Sequence, residues 1–147
     1  MLLTPIWIEY ASPEYDEALA LRYDILRKPL DMEYTIEELT KEYKDLHLAI
    51  YNENAQMLGV CVLSQGENEN IAIMRQVAVK ENMQGKGVGA KLIAAFEAKC
   101  RQLGIKKIQL AARQTAVPFY KKFNYENKGE GYVKIGIQHQ DMFKNLV

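Results

Sequence analysis

The sequence carries no surplus of charge: nineteen lysines and arginines are balanced by nineteen aspartates and glutamates, for a formal net charge of zero. A protein that holds a polyanion presents a basic field, so no nucleic-acid partner is expected, although the balance leaves room for a local basic site. No apolar run approaches the roughly 18 residues that a membrane helix needs. The opening residues, MLLTPIWIEY, also lack the basic start and uninterrupted apolar core of a leader. These absences predict a cytoplasmic protein with no membrane partner. Cysteine is scarce. Cys61 lies within an apolar run and Cys100 late in a helical pattern, which predicts two buried free thiols in a reducing compartment rather than a disulfide. No metal is expected. Neither repeat, linker nor low-complexity segment interrupts the chain, so residues 1–147, of which 48% are hydrophobic, are expected to form one domain.

The local signals alternate between strand and helix. PIWIEY (5–10) is a short β-rich segment. Ser12 then supplies an N-cap and Pro13 the first helical position, with Glu14 and Asp16 in the first turn, and the helix is expected to reach Arg27 before Pro29 ends it. Thr35 and Glu38 have the spacing of a capping box for a second helix extending to Lys44. LHLAIYN (46–52) and MLGVCVLS (57–64) read as an antiparallel hairpin, and IAIMRQVAVK (71–80) as the next strand. Val88, Leu92, Ala95, Phe96, Lys99 and Leu103 recur at helical spacing over 86–102, closed by Gly104. KKIQLAA (106–112) reads as a strand, TAVPFYKKFNY (115–125) as a short helix, and the tail as one or two further strands. This order is that of a mixed α/β domain.

Between the strand at 71–80 and the helix that follows lies the stretch NMQGKGVGAK, with glycine at 85, 87 and 89. A helix N-terminus beside a strand end offers unpaired amides and the positive end of a dipole, and glycine lets an anion approach them, so the stretch is a candidate phosphate site with Lys86 as a mobile charge. Three phosphate signatures compete. The P-loop pattern fails, because counted from Gly85 it would place Ala90 at its second glycine and Leu92 where a hydroxyl should hold magnesium. The dinucleotide fingerprint fits Gly85 to Ala90 as G-x-G-x-x-A, and Arg113 could meet a 2′-phosphate, but the repeated strand-helix units of such a domain are missing. The third pattern, Q-x-x-G-x-G, is met by Gln84, Gly87 and Gly89 directly after the strand MRQVAV.

Here the chain resembles the GNAT superfamily of N-acetyltransferases. The likeness continues in AVPFYKKFNY, similar to the family's A-x-x-F-Y-x-x-x-G-[FY] segment, and residues 71–126 carry it. LRYDILRKPL and GIQHQDM look like small bacterial single-domain members whose acceptors are often undefined. The resemblance implies an α/β fold of α+β mixed type, with a central mixed, mostly antiparallel twisted sheet flanked by about four helices. It implies acetyl-CoA as cosubstrate and a small-molecule or protein amine as acceptor, with a homodimer as one option. Carried onto this sequence, Gln84, Gly85, Lys86, Gly87, Val88, Gly89 and Ala90 would hold the pyrophosphate. Val77, Ala78 and Val79 would pair with the pantetheine arm through their backbone. The Val79 amide would polarise the thioester carbonyl, a type of contact worth roughly 2.7–4 kcal/mol in the barrier.

Tyr120 occupies the position of the family's general acid, where it would protonate the departing sulfur. The base is not identified. His139 and His47 are the two histidines, Glu33, Glu37 and Glu38 fall on the acceptor side in family terms, and His139 and Arg75 are taken as candidate acceptor contacts. Arg113 stands where many members have asparagine and is grouped with the cofactor residues, with an acidic acceptor or a merely solvated side chain as the other options. Asn124 replaces the usual glycine and tolerates the left-handed conformation a turn needs there. The alternative function is a non-catalytic acetyl-CoA-binding sensor or interaction module.

Overall fold

A computed structural model describes residues 1–147. Strand β1 (Thr4–Ile8) leads into α1 (Pro13–Arg22), which begins as the cap chemistry predicts: the Ser12 hydroxyl accepts the Tyr15 N–H at 3.1 Å and Pro13 opens the first turn. The expected helix to Arg27 is present as a path but not as an α-helix. From Tyr23 to Arg27 it widens into a π turn, with the Lys28 N–H bonded to the Tyr23 carbonyl, then tightens to a 3-10 turn over Lys28–Leu30. Helix α2 (Ile36–Thr40) has both halves of its capping box, and its expected continuation to Lys44 is a 3-10 turn over Lys41–Lys44.

Strands β2 (Leu46–Tyr51), β3 (Met57–Gln65) and β4 (Ile71–Val79) form an antiparallel meander, and α3 (Val88–Gln102) carries the chain over to β5 (Lys107–Arg113). After α4 (Val117–Lys121) a short strand β6 (Glu126–Asn127) precedes the tail, and the tail over 131–146 holds two strands, within the one or two expected: short β7 (Tyr132–Lys134) and long β8 (Ile137–Asn145), with β6 and β7 both lining β8. The sheet order is β1-β2-β3-β4-β5-β8-β6, and only β4 with β5 is parallel. A sheet with one parallel pair is not doubly wound, which removes the dinucleotide-domain reading of the glycines.

Helix α3 covers one face of the sheet. Val88, Leu92, Ile93, Phe96 and Cys100 meet Leu48, Ile50, Cys61, Met74, Ile108 and Met142, and full burial of side chains such as Leu92 or Phe96 stabilises by about 1.5–3 kcal/mol each. Leu103, expected on this apolar face, lies past the helix end and is 53% exposed. Both thiols are free and buried. The opposite face is covered by α1 and the π turn, whose Ala18, Leu21, Ile25 and Leu26 pack on Ala49, Val60 and Ala78.

Two irregularities in β4 position the site. Its pairing with β5 runs only from Ile71↔Lys107 to Ile73↔Gln109, after which the strands part. Its pairing with β3 shifts between Val62↔Arg75 and Val60↔Ala78, so Gln76 and Val77 together oppose Cys61 in a bulge with Gln76 at φ 54°.

Candidate active site

The split between β4 and β5 leaves the edge of β4 beyond Ile73 unpaired on its β5 side, as far as the strand end at Val79. At that end the Gln84 side chain donates to the Val79 carbonyl at 3.3 Å, tying the following turn to the strand. Gly85 and Gly87 adopt φ of 77° and 89°, a region costly to residues with a Cβ. None of the amides from Gly85 to Ala90 finds an acceptor in the chain; the first that does is Lys91, bonded to the Gly87 carbonyl at 3.1 Å. The turn itself is exposed, so these donors and the positive end of α3 face outward together.

Gly89 has a different reason for being glycine. A Cβ there would stand 2.9 Å from Cζ of Phe119, so the first turn of α3 and the body of α4 touch at a point where only hydrogen fits. Tyr120 is the next residue along α4. Its ring is buried and packs edge-on to Phe119 and Tyr125. Burial, with a smaller contribution from Cys61, pushes its phenol well above the ordinary value, so it is protonated through the neutral range. The Tyr120 hydroxyl has no hydrogen-bond partner in the chain, yet Arg22 Nε is the one fully enclosed side-chain polar atom that lacks a partner, so the hydroxyl is not sealed in. Tyr125, by contrast, is committed to Glu97 Oε2 at 2.9 Å.

The remaining candidates lie on the α1 side of the sheet. Arg113, at the end of β5, extends to the Leu26 carbonyl at 3.4 Å and not towards the glycine turn. His139 is its partner across the β5–β8 pairing, stacks on Tyr132 with ring centroids 5.8 Å apart, and has Nδ1 2.8 Å from the Ile137 carbonyl. A carbonyl only accepts, so Nδ1 carries the hydrogen and Nε2 is the free nitrogen. Arg75 is occupied by Ser64 Oγ at 3.3 Å and Asp45 at 3.9 Å. It lines a cleft of about 740 Å³ with Glu37, Glu38, Lys41 and Asp45, which neither the glycine turn nor Tyr120 reaches. The free amides of the glycine turn and the unpaired edge of β4 at 77–79 lie outside this cleft. His47 is walled in between Tyr15 and the Glu42 carbonyl, 3.0 Å from Nε2, as a core histidine. Glu38 caps α2 and accepts from Arg27, whose bond is the largest of the effects that hold its carboxyl down at about 2.

One cluster has no forerunner in the sequence reading. Arg22, 1% exposed, forms a two-bond pair with Glu42 at 2.9 and 2.7 Å, and Tyr15 donates to the same carboxylate at 2.6 Å. Tyr34 lies under both Arg22 and Arg27, with guanidinium carbons 5.0 and 4.1 Å from its ring centre, and donates to Gln76 Oε1 at 2.6 Å in the β4 bulge. The available signal was the seven-residue spacing of Tyr15 and Arg22, which places both on one face of α1; nothing local pointed to Glu42 or Gln76.

The model of the acetyltransferase (GNAT) domain matches residues 17–146. The chain belongs to the GNAT acetyltransferase family. It is therefore an acyltransferase by family, and solved structures of GNAT fold superpose on its whole length. A Lactobacillus plantarum protein described as an N-acetyltransferase aligns with a TM-score of 0.87 at 18% identity over 100% of both chains. ElaA of Escherichia coli aligns at 0.80 and 18%, covering 97% of this chain and 99% of its own. An acyl-CoA N-acyltransferase from Pseudomonas aeruginosa aligns at 0.79 and 20%, over 97% and 99%. Members of the family use an acyl-CoA, and no helix of this GNAT fold is long and apolar enough to cross a membrane.

Proposed function

We propose that residues 1–147 act as one N-acetyltransferase domain that passes the acetyl group of acetyl-CoA directly to a primary amine while both are bound. The observation that carries this reading is the run of unbonded amides from Gly85 to Ala90 set beside the free edge of β4. Those amides, the α3 dipole and Lys86 suit a pyrophosphate, and the parted strands suit an extended arm that pairs with the backbone of Val77, Ala78 and Val79. Acetyl-CoA, when bound, supplies an activated acyl group on a thiol leaving group.

The chain's own residues then have three tasks. The Val79 amide, at the end of the free edge, is aimed to donate to the acyl oxygen. Tyr120, kept protonated by burial and free of internal partners, hands its proton to the sulfur as negative charge builds there. Because the raised phenol holds a proton more tightly than a thiol near pKa 8.5, the proton lost by the attacking amine replaces it, so the net transfer runs from nitrogen to sulfur and no phenolate is left. His139, with Nε2 free on the α1 side, is the residue we assign to the acceptor amine, with Arg75 further along the same face.

The test is thermal unfolding of the protein with acetyl-CoA, coenzyme A, NADPH and ATP in parallel, followed by thiol release with a panel of amines. A raised midpoint with the two CoA species and amine-dependent thiol release support the reading. A shift with NADPH alone overturns it. CoA binding without thiol release on any amine would instead make the chain an acetyl-CoA-binding module.

A further inference from the structure

Four of the five arginines face a carboxylate: Arg22 with Glu42, Arg27 with Glu38, Arg75 with Asp45 and Arg101 with Glu97. Arg113 has none. It is half-buried, and its contact is the Leu26 carbonyl at 3.4 Å, longer than an ordinary N–H···O bond of about 2.7–3.2 Å, which leaves most of its five N–H donors without a partner in the protein. A guanidinium taken partly out of water without an anion is a cost that needs a reason.

Its position supplies one. Leu26 packs against the cluster that includes Ala78 of β4, whereas Arg113 ends β5, so a side chain that contacts the Leu26 carbonyl extends from the β5 side of the split towards the β4 side. It does so on the α1 face, opposite the face that α3 covers. Directly opposite Arg113, on β8, stands His139, braced against Tyr132. Asp141, two residues on along the same strand face, is no competitor, because it accepts the Tyr132 hydroxyl at 2.6 Å.

We infer that Arg113 receives the carboxylate of the acceptor, and that the acceptors are amines that also bear a carboxylate, of the amino-acid or peptide kind. The inference rests on the acetyltransferase reading. The planar fork of arginine matches two carboxylate oxygens, and a carboxylate held across the mouth of the split leaves the amine of the same molecule to enter beside Val79. A phosphate of the cosubstrate is served from the other side of the sheet by the Gly85–Ala90 amides.

Matched amine pairs test it, for example L-phenylalanine against its amide and L-lysine against cadaverine, with thiol release from acetyl-CoA as the readout. In at least one pair the wild-type kcat/KM favours the carboxylate member by about 10- to 100-fold, the value of hydrogen bonds to a charged group, and Arg113→Gln removes that preference mainly through KM. Arg113→Lys keeps the charge and recovers part of it, which also covers a poorly folding glutamine variant. Acetyl-CoA affinity, measured by calorimetry, stays near the wild-type value in both.

Equal or better turnover of the uncharged members in every pair overturns the inference, as does an Arg113→Gln variant that keeps the wild-type pair ratio, whether or not it loses acetyl-CoA affinity. If no pair is turned over, the carboxylate members are titrated into CoA-loaded protein. Binding that Arg113→Gln abolishes upholds the inference, and no binding overturns it. A wild-type protein that does not bind coenzyme A at all marks the failure of the acetyltransferase reading instead.

Discussion

Phe119 lies so close to Gly89 that a Cβ on residue 89 would stand 2.9 Å from its Cζ and 3.2 Å from Cε1. This contact joins the turn that offers free amides to the helix that carries Tyr120. Gly89→Ala is therefore expected to destabilise although alanine favours a helix by about 1 kcal/mol, because forcing a methyl into a packed contact costs about 1–3 kcal/mol. Denaturant unfolding should register a net loss of about 1 kcal/mol. Adding Phe119→Leu should restore part of it; strictly additive losses would show that the two residues are not coupled.

Gly87 presents the other use of glycine. At φ 89° and with open space where a Cβ would go, it is needed for backbone conformation and not for packing. Gly87→Ala should cost about 1–2 kcal/mol of turn stability and weaken coenzyme A, because the amides no longer converge. Lys86→Ala should weaken it less, and the difference from wild type should shrink as salt rises. Calorimetric titration at two ionic strengths separates the two. Coenzyme A affinity unchanged in Gly87→Ala would remove the turn from the phosphate site.

What was legible beforehand was whatever rests on chemistry within a few residues. Ser12 with Pro13, Thr35 with Glu38, and the left-handed Asn124 at φ 69° are all local, and each is where the sequence implied. The glycine turn and the α3 stripe were likewise local patterns. The π turn at Tyr23–Arg27 was not legible, since its residues are ordinary helix formers and the widening answers to packing on β3 and β4. Nor was the bulge at Gln76, a non-glycine residue at positive φ held by Tyr34 from 42 positions away. The same distance problem hid the Arg22–Glu42 pair and the direction of Arg113, because a side chain's partner across the fold leaves no mark on its neighbours in sequence.

The Arg22–Glu42 pair predicts how the protein meets acid. Burial alone would raise the Glu42 carboxyl, but the bonds from Arg22 and Tyr15 outweigh it and the group sits below the usual range. A folded pKa below the unfolded value of about 4.3 means that the stabilisation is complete above that pH and is lost as pH falls through the lower folded value. Glu42→Ala, which strands a buried guanidinium, should cost about 3–5 kcal/mol at neutral pH and flatten the acid limb of stability against pH. Arg22→Met with Glu42→Leu should recover most of that loss. Unfolding curves from pH 7 to 3 would decide it, and an unchanged acid limb in Glu42→Ala would assign acid sensitivity elsewhere.

Tyr120 is the sharpest test of the chemistry, because its hydroxyl does nothing for the fold. It has no internal hydrogen bond, so Tyr120→Phe keeps the ring packing against Phe119 and Tyr125 and should leave the unfolding midpoint and acetyl-CoA affinity close to wild type. If the hydroxyl protonates the leaving sulfur, kcat should fall by roughly 10²–10⁴-fold, the usual value of general acid catalysis. The raised phenol adds a second signature: Tyr120 stays protonated well beyond neutral pH, so it contributes no falling limb to the wild-type rate there. Any limb between pH 6 and 9 belongs to the acceptor amine or its base and should persist in Tyr120→Phe at a lower rate. A variant that turns over at the wild-type rate, or one that loses acetyl-CoA binding along with activity, would take the proton-donor role away from Tyr120 and leave it as packing.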